Sequence, residues 1–502
     1  MNNTKPVSIT QRGVKQKKTM SDRKPNIIYF FSDQHRHDAM GCAGNTVIQT
    51  PNLDRMAGEG VRFSRVYTQS PICQPARASV ITGQYTHQHG ISQNFVKDFD
   101  PEWPTMMKQL QAAGYTTAEI GKTHFYSPRE ETLKNISTPN GFDLRLNNGF
   151  IRSFGFDHVL EEFDRYIHAY PKANFITPYT EHLKAKGLLE AYQEQIRSIW
   201  RLTPTHWNGV TSVLPQEDDL TSFIADRAID WIKSYNGDKP FFLMVSFVAP
   251  HVPLMADPVW AAYYQNAEIA RGPRQSPDKP NEIMEQYIET LSRHSNSHLL
   301  TDEYVLNGAR QYYGMVSLID QKIGAIMKEV EDRGFGDKTW FFYSADHGEM
   351  LGDHNLMAKM NFYKSSVLVP AIIRPPEPVE PKVEDGIIES IDFTGTILDL
   401  AGADPVKGSG ARSLLSFING RGRSREVAFS AIEFQHLHSY FVMAATENHR
   451  LTIERETGTP CEFFDLKEDP DELNNLVNDP GYKGMIEDMI RDYIKPHLAL
   501  ES

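Results

Sequence analysis

The chain has 502 residues, enough for one large domain with a smaller one beside it. It is 40% hydrophobic and 23% charged, and its net charge of −13 argues against a general nucleic-acid or membrane-surface binder. Three cysteines, Cys42, Cys73 and Cys461, are too few for a disulfide framework and fit a reducing compartment, and no apolar run reaches the roughly 18 residues of a membrane span.

Residues 1–24 are polar and basic with no apolar stretch, so a disordered tail is expected rather than a secretory signal, and the cytoplasm is the expected location. NIIYFFSDQ (26–34) reads as a buried parallel strand ending in Asp33-Gln34. In SPICQPARASVITGQ (70–84), Pro75 suits the first helical position and Gly83 the stop. Cys73 then sits at the mouth of a helix, where free N–H groups favour negative charge, and Arg77 points back toward it. A helix over 103–114 leads to TTAEIGK (116–122), a strand that runs into Lys122 and His124. Residues 145–220 read as an insertion rich in aromatics and histidines (Phe150, Phe154, His158, Tyr166, His168, Trp200, His206, Trp207). It is expected either to shape a pocket or to form a surface excursion with its own small core.

PFFLMVSFVAPH (240–251) is a third strand, running into His251. A helical stripe covers 311–334, with Met315, Ile319, Ile323, Ile326 and Val330 on one face. TWFFYSADHG (339–348) is a fourth strand, ending in Asp346-His347. From about 425 the pattern changes to short antiparallel strands, VAFSAIEF, SYFVMAATE and HRLTIERE, and a final helix near 483–499. The expected architecture is α/β: a large, mostly parallel sheet flanked by helices over 25–424, and a small C-terminal α+β subdomain over 425–502.

Four strands deliver metal-ligand or acid–base side chains to one sheet edge, where open α/β sheets bind ligands. Asp33, Gln34, Asp346 and His347 offer three oxygen donors and one imidazole. That set suits a divalent Ca²⁺, Mn²⁺ or Mg²⁺ ion, Ca²⁺ being favoured, better than a thiolate-bound zinc.

Cys73-Gln74-Pro75-Ala76-Arg77 resembles the C-x-P-x-R signature of type I sulfatases, in the alkaline phosphatase superfamily. The similarity continues in family order through 24–45, TPNLDRMAGEGVRF (50–63), RASVITGQYTHQHG (77–90), IGKTH (120–124), APHVP (249–253), SADHGEMLGDHNLMAK (344–359) and FFDLKEDPDELNNL (463–476). The resemblance implies that a separate maturation enzyme oxidises Cys73 to formylglycine. The hydrated aldehyde is the nucleophile, and an oxygen of residue 73 joins Asp33, Gln34, Asp346 and His347 around the metal. Arg77 and Lys122 would neutralise charge, and Lys359 would bind the sulfate. His251 would be the general acid, and His124 the base that breaks the sulfated hemiacetal. The implied substrate is a small anionic ester, with no nucleic-acid or membrane partner.

Many sulfatases carry Asp-Asp and Asp-Asn where this chain has Asp33-Gln34 and Asp346-His347. The pairs found here also occur in the branch of phosphonate monoester hydrolases and choline sulfatases. A phosphonate monoester or phosphodiester hydrolase is therefore the second reading, and a non-catalytic anion binder with unconverted Cys73 the third. Gly121-Lys122-Thr123-His124 resembles the G-K-x-H of sulfatases, where phosphonate hydrolases tend to carry tyrosine and threonine. His87 and His89 are expected to brace the helix carrying Cys73 rather than to bind zinc. His35, His37 and His354 read as partners of the ligands or as exposed residues, and His436 and His438 as surface groups or rim of the pocket.

Overall fold

A computed structural model describes residues 24–499 except 128–129, 171–172, 202–206, 208, 279–280 and 435–438. The expected tail, apart from Lys24, lies outside these residues, as do His206, His436, His438 and the Trp200 side chain.

The main sheet has eight strands: β1 (Asn26–Asp33), β2 (Val61–Tyr67), β3 (Thr116–Gly121), β4 (His158–Glu161), β5 (Phe241–Pro250), β6 (Thr339–Ala345), β7 (Ala371–Arg374) and β8 (Lys382–Glu389). They lie in the order β8-β2-β7-β6-β1-β5-β3-β4. β6, β1, β5, β3 and β4 pair in parallel, and β7 alone runs against its neighbours. The four strands expected from sequence form this parallel core in the central positions. Every residue of β1 and β5 is buried, because helices cover both faces.

Alternate residues of β1 feed two cores. Ile27, Tyr29 and Phe31 pack on one side with helix α2 (Cys73–Thr82) and helix α6 (Ile391–Ala401). Ile28 and Phe30 pack on the other with α4 (Leu220–Ser234) and α5 (Asp302–Asp332). Each fully buried large side chain contributes about 1.5–3 kcal/mol, so the central strands are the firmest ground from which to project a site. Two smaller helices complete the set used below: α1 (Pro51–Gly58) and α3 (Met106–Ala112).

Several boundaries differ from the sequence reading. α5 begins at Asp302 rather than 311, because the Thr301 hydroxyl accepts the Tyr304 N–H and caps it. α2 begins at Cys73 itself, so Pro75 is its third residue; that position also lacks an intrahelical partner and tolerates proline. Segment 145–220 contributes more than an excursion: it supplies β4, the edge strand beside β3.

The C-terminal sheet is a meander of four strands, β9 (Ala428–Phe434), β10 (Ser439–Ala445), β11 (His449–Glu454) and β12 (Thr459–Asp465). The sequence reading gave three of them. β12 carries Pro460, which an edge strand accepts. One face of this sheet packs on Tyr67, Ile72 and Ile387 of the body, and the other on Ile486, Met489 and Ile494 of the last helical segment. Among the described residues no helix is long and apolar enough to cross a membrane.

Candidate active site

β1 and β6 are neighbours in register, Ser32 opposite Ala345. Their carboxyl ends therefore set Asp33 and Asp346 side by side. α2 brings Cys73 up to them. All ten residues of this helix are buried, and its first turn faces the strand ends instead of solvent. Asp33, Cys73, Asp346 and His347 each offer one donor atom, all within 4.8 Å of one another. Cys73 Sγ lies 3.2 Å from His347 Nε2 and 3.7 Å from Asp33 Oδ1.

The His347 ring is oriented for ligation. Its Nδ1–H donates to the Gly348 carbonyl at 2.9 Å, leaving the Nε2 lone pair toward Asp33, Asp346 and Cys73. Burial holds this imidazole below its ordinary range, in the neutral form a ligand needs. Two hard carboxylates and one neutral imidazole in a closed cluster fit a divalent cation.

Two cations brace the carboxylates. Arg77 Nε donates to Asp346 Oδ2 at 2.9 Å, and its Nη2 lies 3.4 Å from Asp33 Oδ2. Lys122 Nζ lies 2.6 Å from Asp33 Oδ2. Burial alone would raise the Asp33 carboxyl, but the cations Lys122 and Arg77 hold it well below the usual carboxylate range. Burial and then Asp33 push the Cys73 thiol up to about 11, so it stays protonated and weakly nucleophilic at neutral pH.

Lys122 and His124 arrive on the loop after β3. Gly121, at φ +124°, is required there: a Cβ would lie 1.9 Å from the Ser246 carbonyl oxygen of β5. His124 is buried at φ +60°, and neither ring nitrogen has a hydrogen-bond partner among the described residues. Burial, then Lys122 and Arg77, keep it well below the imidazole range, so it is a neutral base. His251 follows β5, its Nδ1–H donating to the Val252 carbonyl at 2.9 Å and its Nε2 uncommitted among the described bonds. Burial and then Lys359 lower it likewise.

Gln34 and Lys359 are joined: Lys359 Nζ donates to Gln34 Oε1 at 2.5 Å, and Gln34 Nε2 donates to Glu349. The side-chain oxygen expected to face a metal thus carries a lysine in this structure. All ten residues singled out in the sequence reach the same end of the sheet, and these contacts tie most of them directly. His35 is a structural brace, held by Tyr343 and by the Ala39 carbonyl. His89 bonds Ser79 and the Ile91 N–H through its two nitrogens, which fits bracing of α2. His354 bonds the Gln275 carbonyl and stacks on Tyr363.

Sequence reasoning missed four supports. Ser246 accepts from Arg77 Nη1 at 3.1 Å and donates to the Lys122 carbonyl at 2.7 Å. Glu349 orients Gln34. Glu161 of β4 accepts the Thr123 N–H at 3.1 Å, between Lys122 and His124. Tyr312 of α5 donates to the Gln34 carbonyl at 2.7 Å. Glu349 lies within the 344–359 motif, which assigns it no role; the other three lie outside the motifs or carry no mark of a role, and each becomes visible only when distant elements are brought together.

A model of the family described as Sulfatase matches residues 25–403, and one described as N-sulphoglucosamine sulphohydrolase, C-terminal, matches 352–496. The chain belongs to the sulfatase family. It is a sulfuric ester hydrolase of the alkaline phosphatase superfamily. Among relatives, the multifunctional alkaline phosphatase superfamily protein PehA of Trinickia caryophylli is 28% identical, with 95% of each chain aligned. An arylsulfatase of Clostridium perfringens is 27% identical over 95% of this chain and 94% of its own length. Among solved structures, the phosphonate monoester hydrolase of Silicibacter pomeroyi shares the fold, with a TM-score of 0.76 at 23% identity over 95% of both chains. The sulfatase fold thus spans nearly the whole sequence, C-terminal sheet included.

Proposed function

We propose that this sulfatase hydrolyses a small sulfate ester through formylglycine generated from Cys73 by a maturation enzyme. The observation that carries the reading is the position of Cys73: first residue of α2, inside a cage of Asp33, Asp346, His347, Arg77 and Lys122, and held as an unreactive thiol. A cysteine meant to attack as thiolate would be placed where its pKa falls. A hydrated aldehyde at this position has one hydroxyl to attack sulfur and a second whose deprotonation later breaks the carbon–oxygen bond.

Asp33, Asp346 and His347 would hold one divalent ion, with Ca²⁺ favoured by the oxygen donors and Mn²⁺ or Mg²⁺ as alternatives. When bound, the ion supplies Lewis-acid charge that favours the ionised hydroxyl and draws in the anionic ester. Arg77 and Lys122 already balance the two carboxylates, so the loaded site is a local positive centre in a protein of net charge −13. Gln34 would add its side-chain oxygen to the ligand set if Lys359, which holds that oxygen here, turned to the sulfate group.

As one residue-73 oxygen bonds to sulfur, the ester oxygen leaves and takes a proton from His251. Lys359 and Lys122 stabilise the charge spread over the sulfuryl oxygens. His124 then removes the proton of the second hydroxyl, the bond between carbon 73 and the sulfated oxygen breaks, and sulfate departs as the aldehyde re-forms. Both imidazoles are neutral in the resting site, so His251 must take up a proton with the substrate before it can donate one.

The test is kcat/KM on matched aryl sulfate and phenyl phosphonate esters with matured protein, together with mass spectrometry of the peptide spanning Cys73. Aldehyde at residue 73 and a preference for sulfate are expected. A preference for the phosphonate would install the second reading, and full activity with unmodified Cys73 would overturn the mechanism.

A further inference from the structure

Gln74, the residue after Cys73, is tied to one loop at three points. Its N–H donates to Asn94 Oδ1 at 2.8 Å, its side-chain oxygen accepts the Phe95 N–H at 2.8 Å, and its side-chain nitrogen donates to the Lys97 carbonyl at 3.0 Å. The residue so clamped is unusual. Phe95 has φ +65°, a left-handed conformation that a bulky side chain rarely adopts. It is also 47% exposed, so burial does not hold it there. Its ring centroid lies 5.4 Å from that of His124, and the His124 ring lies 5.0 Å from Phe163 on its other contact. Lys122 Nζ stands 6.0 Å from the Phe163 ring.

A strained conformation persists only where its surroundings over-determine it, and such residues cluster at reactive centres. Here Gln74 supplies that constraint: its bonds to Asn94, to the Phe95 N–H and to Lys97 fix the loop backbone, and so the place of Phe95, to the helix turn that carries residue 73. We propose that Phe95 is a specificity-determining residue that takes the flat apolar face of the leaving alcohol, so that aryl sulfates are the preferred substrate class. This rests on the sulfatase reading above.

The chemistry of the wall favours an aryl group over the alternatives. Phe95 offers an exposed ring, backed by the buried rings of His124 and Phe163, and such a ring suits another in offset or edge contact. A sugar alcohol would bring several hydroxyls, each losing water and needing a partner that ring faces do not supply. A cationic alcohol such as choline would meet Arg77, Lys122 and Lys359, while Asp33 and Asp346 are committed to Arg77 and Lys122.

The experiment compares matured wild type, Phe95→Ala and Phe95→Leu on 4-nitrophenyl sulfate, glucose 6-sulfate and choline sulfate. For each ester the variant is referred to wild type, which removes differences in intrinsic reactivity. Loss of the ring should lower kcat/KM for the aryl ester by about tenfold or more, chiefly through KM, and should lower the other two by less than about threefold. Phe95→Leu keeps apolar bulk without a flat face and should lose the same selectivity, and Phe95→Tyr should restore it. Equal losses on all three esters, a larger loss on the sugar or choline ester, or undiminished aryl preference in both Ala and Leu variants would overturn the proposal. Phenyl and ethyl esters of phenylphosphonic acid repeat the comparison on the other chemistry. A selective loss on the phenyl ester there supports Phe95 even if sulfate esters are not turned over, so the two readings fail separately.

Discussion

At the scale of single residues, the site is a network in which both metal-facing carboxylates have stated cations. Asp346 accepts from Arg77 and from two backbone N–H groups, those of Gln34 and His347. Asp346→Ala should therefore remove both a metal donor and the anchor of Arg77. Elemental analysis is expected to show less than stoichiometric metal, with turnover at background; a full complement of metal would exclude this ligand set. Lys122→Ala and His124→Ala act on the later chemistry. Each should depress sulfate-ester kcat/KM by roughly 10²–10⁴-fold, as removal of a positioned charge or base does, with the fold preserved by circular dichroism. Cys73→Ala should abolish turnover at unchanged thermal stability, because alanine fills the same buried helical position. Nine of the ten candidate residues could be found from the strand-end pattern and the C-x-P-x-R stretch, and Lys359 from the family resemblance over 344–359. Ser246 and Glu161 could not, since a serine or glutamate in a buried strand carries no local mark of what it will face, and Glu349, in the loop after β6, could not be told from its neighbours.

At the scale of elements, the stability of α1 depends on another helix. Its N-cap Thr50 makes no side-chain capping bond. Asp320, in the middle of α5, accepts the Asn52 and Leu53 N–H groups at 3.0 and 2.7 Å and the Asn52 side-chain amide at 2.9 Å. Asp320→Ala should cost about 2 kcal/mol, the upper end for loss of a cap, read as a lower urea midpoint at unchanged slope. The same carboxyl gives a pH signature. Burial raises it to about 6, above the unfolded value of about 3.9. The folded state then binds its proton more tightly. Its contribution to stability is greatest below the unfolded value, falls as pH rises from about 4 to 6, and is flat above. Asp320→Asn keeps an acceptor and removes the titration, so the difference between its stability curve and that of wild type should vanish below pH about 4 and change most between 4 and 6. A difference independent of pH would refute the assignment.

At the scale of the whole molecule, the C-terminal sheet is bonded to the body by a buried charge cluster. Arg425, just before β9, donates from Nε to Asp392 Oδ2 at 2.8 Å and lies 3.0 Å from Glu389, the last residue of β8. The Tyr85 hydroxyl closes the group by donating to Glu389 at 2.7 Å. Removing the cation leaves two buried carboxylates without compensation. Arg425→Ala should destabilise the protein by about 3–5 kcal/mol, whereas an exposed pair such as Arg293 with Glu289 should cost under about 1 kcal/mol. Since apolar clusters run from Tyr67 and Ile387 into Ile432 and Phe441, thermal unfolding should be a single transition shared by both parts. Two resolved calorimetric peaks would show that the C-terminal sheet melts independently.

The sequence by itself determined the parallel core, the two helical stripes and the residues at the strand ends. These are local signals: apolar runs of strand length, a 3.6-residue period, and a short motif whose chemistry is written in adjacent positions. It did not locate β2, β7 or β8 of the main sheet, nor β4 or β12. His158–Glu161 is too short to announce itself among helices, and Thr459–Asp465 has a proline and a cysteine near its start, followed by a glutamate. Both are edge strands, which need less apolar character because only one side is paired. Only the tertiary structure decided that Lys359 and Gln34 share a bond, that Glu161 steadies the Lys122–His124 loop, and that Gln74 holds Phe95 in a left-handed turn beside His124. Those relations join residues 21 to 325 positions apart. Their geometry comes from strand order and helix placement, which burial of both sheet faces selects for the chain as a whole and no single segment encodes.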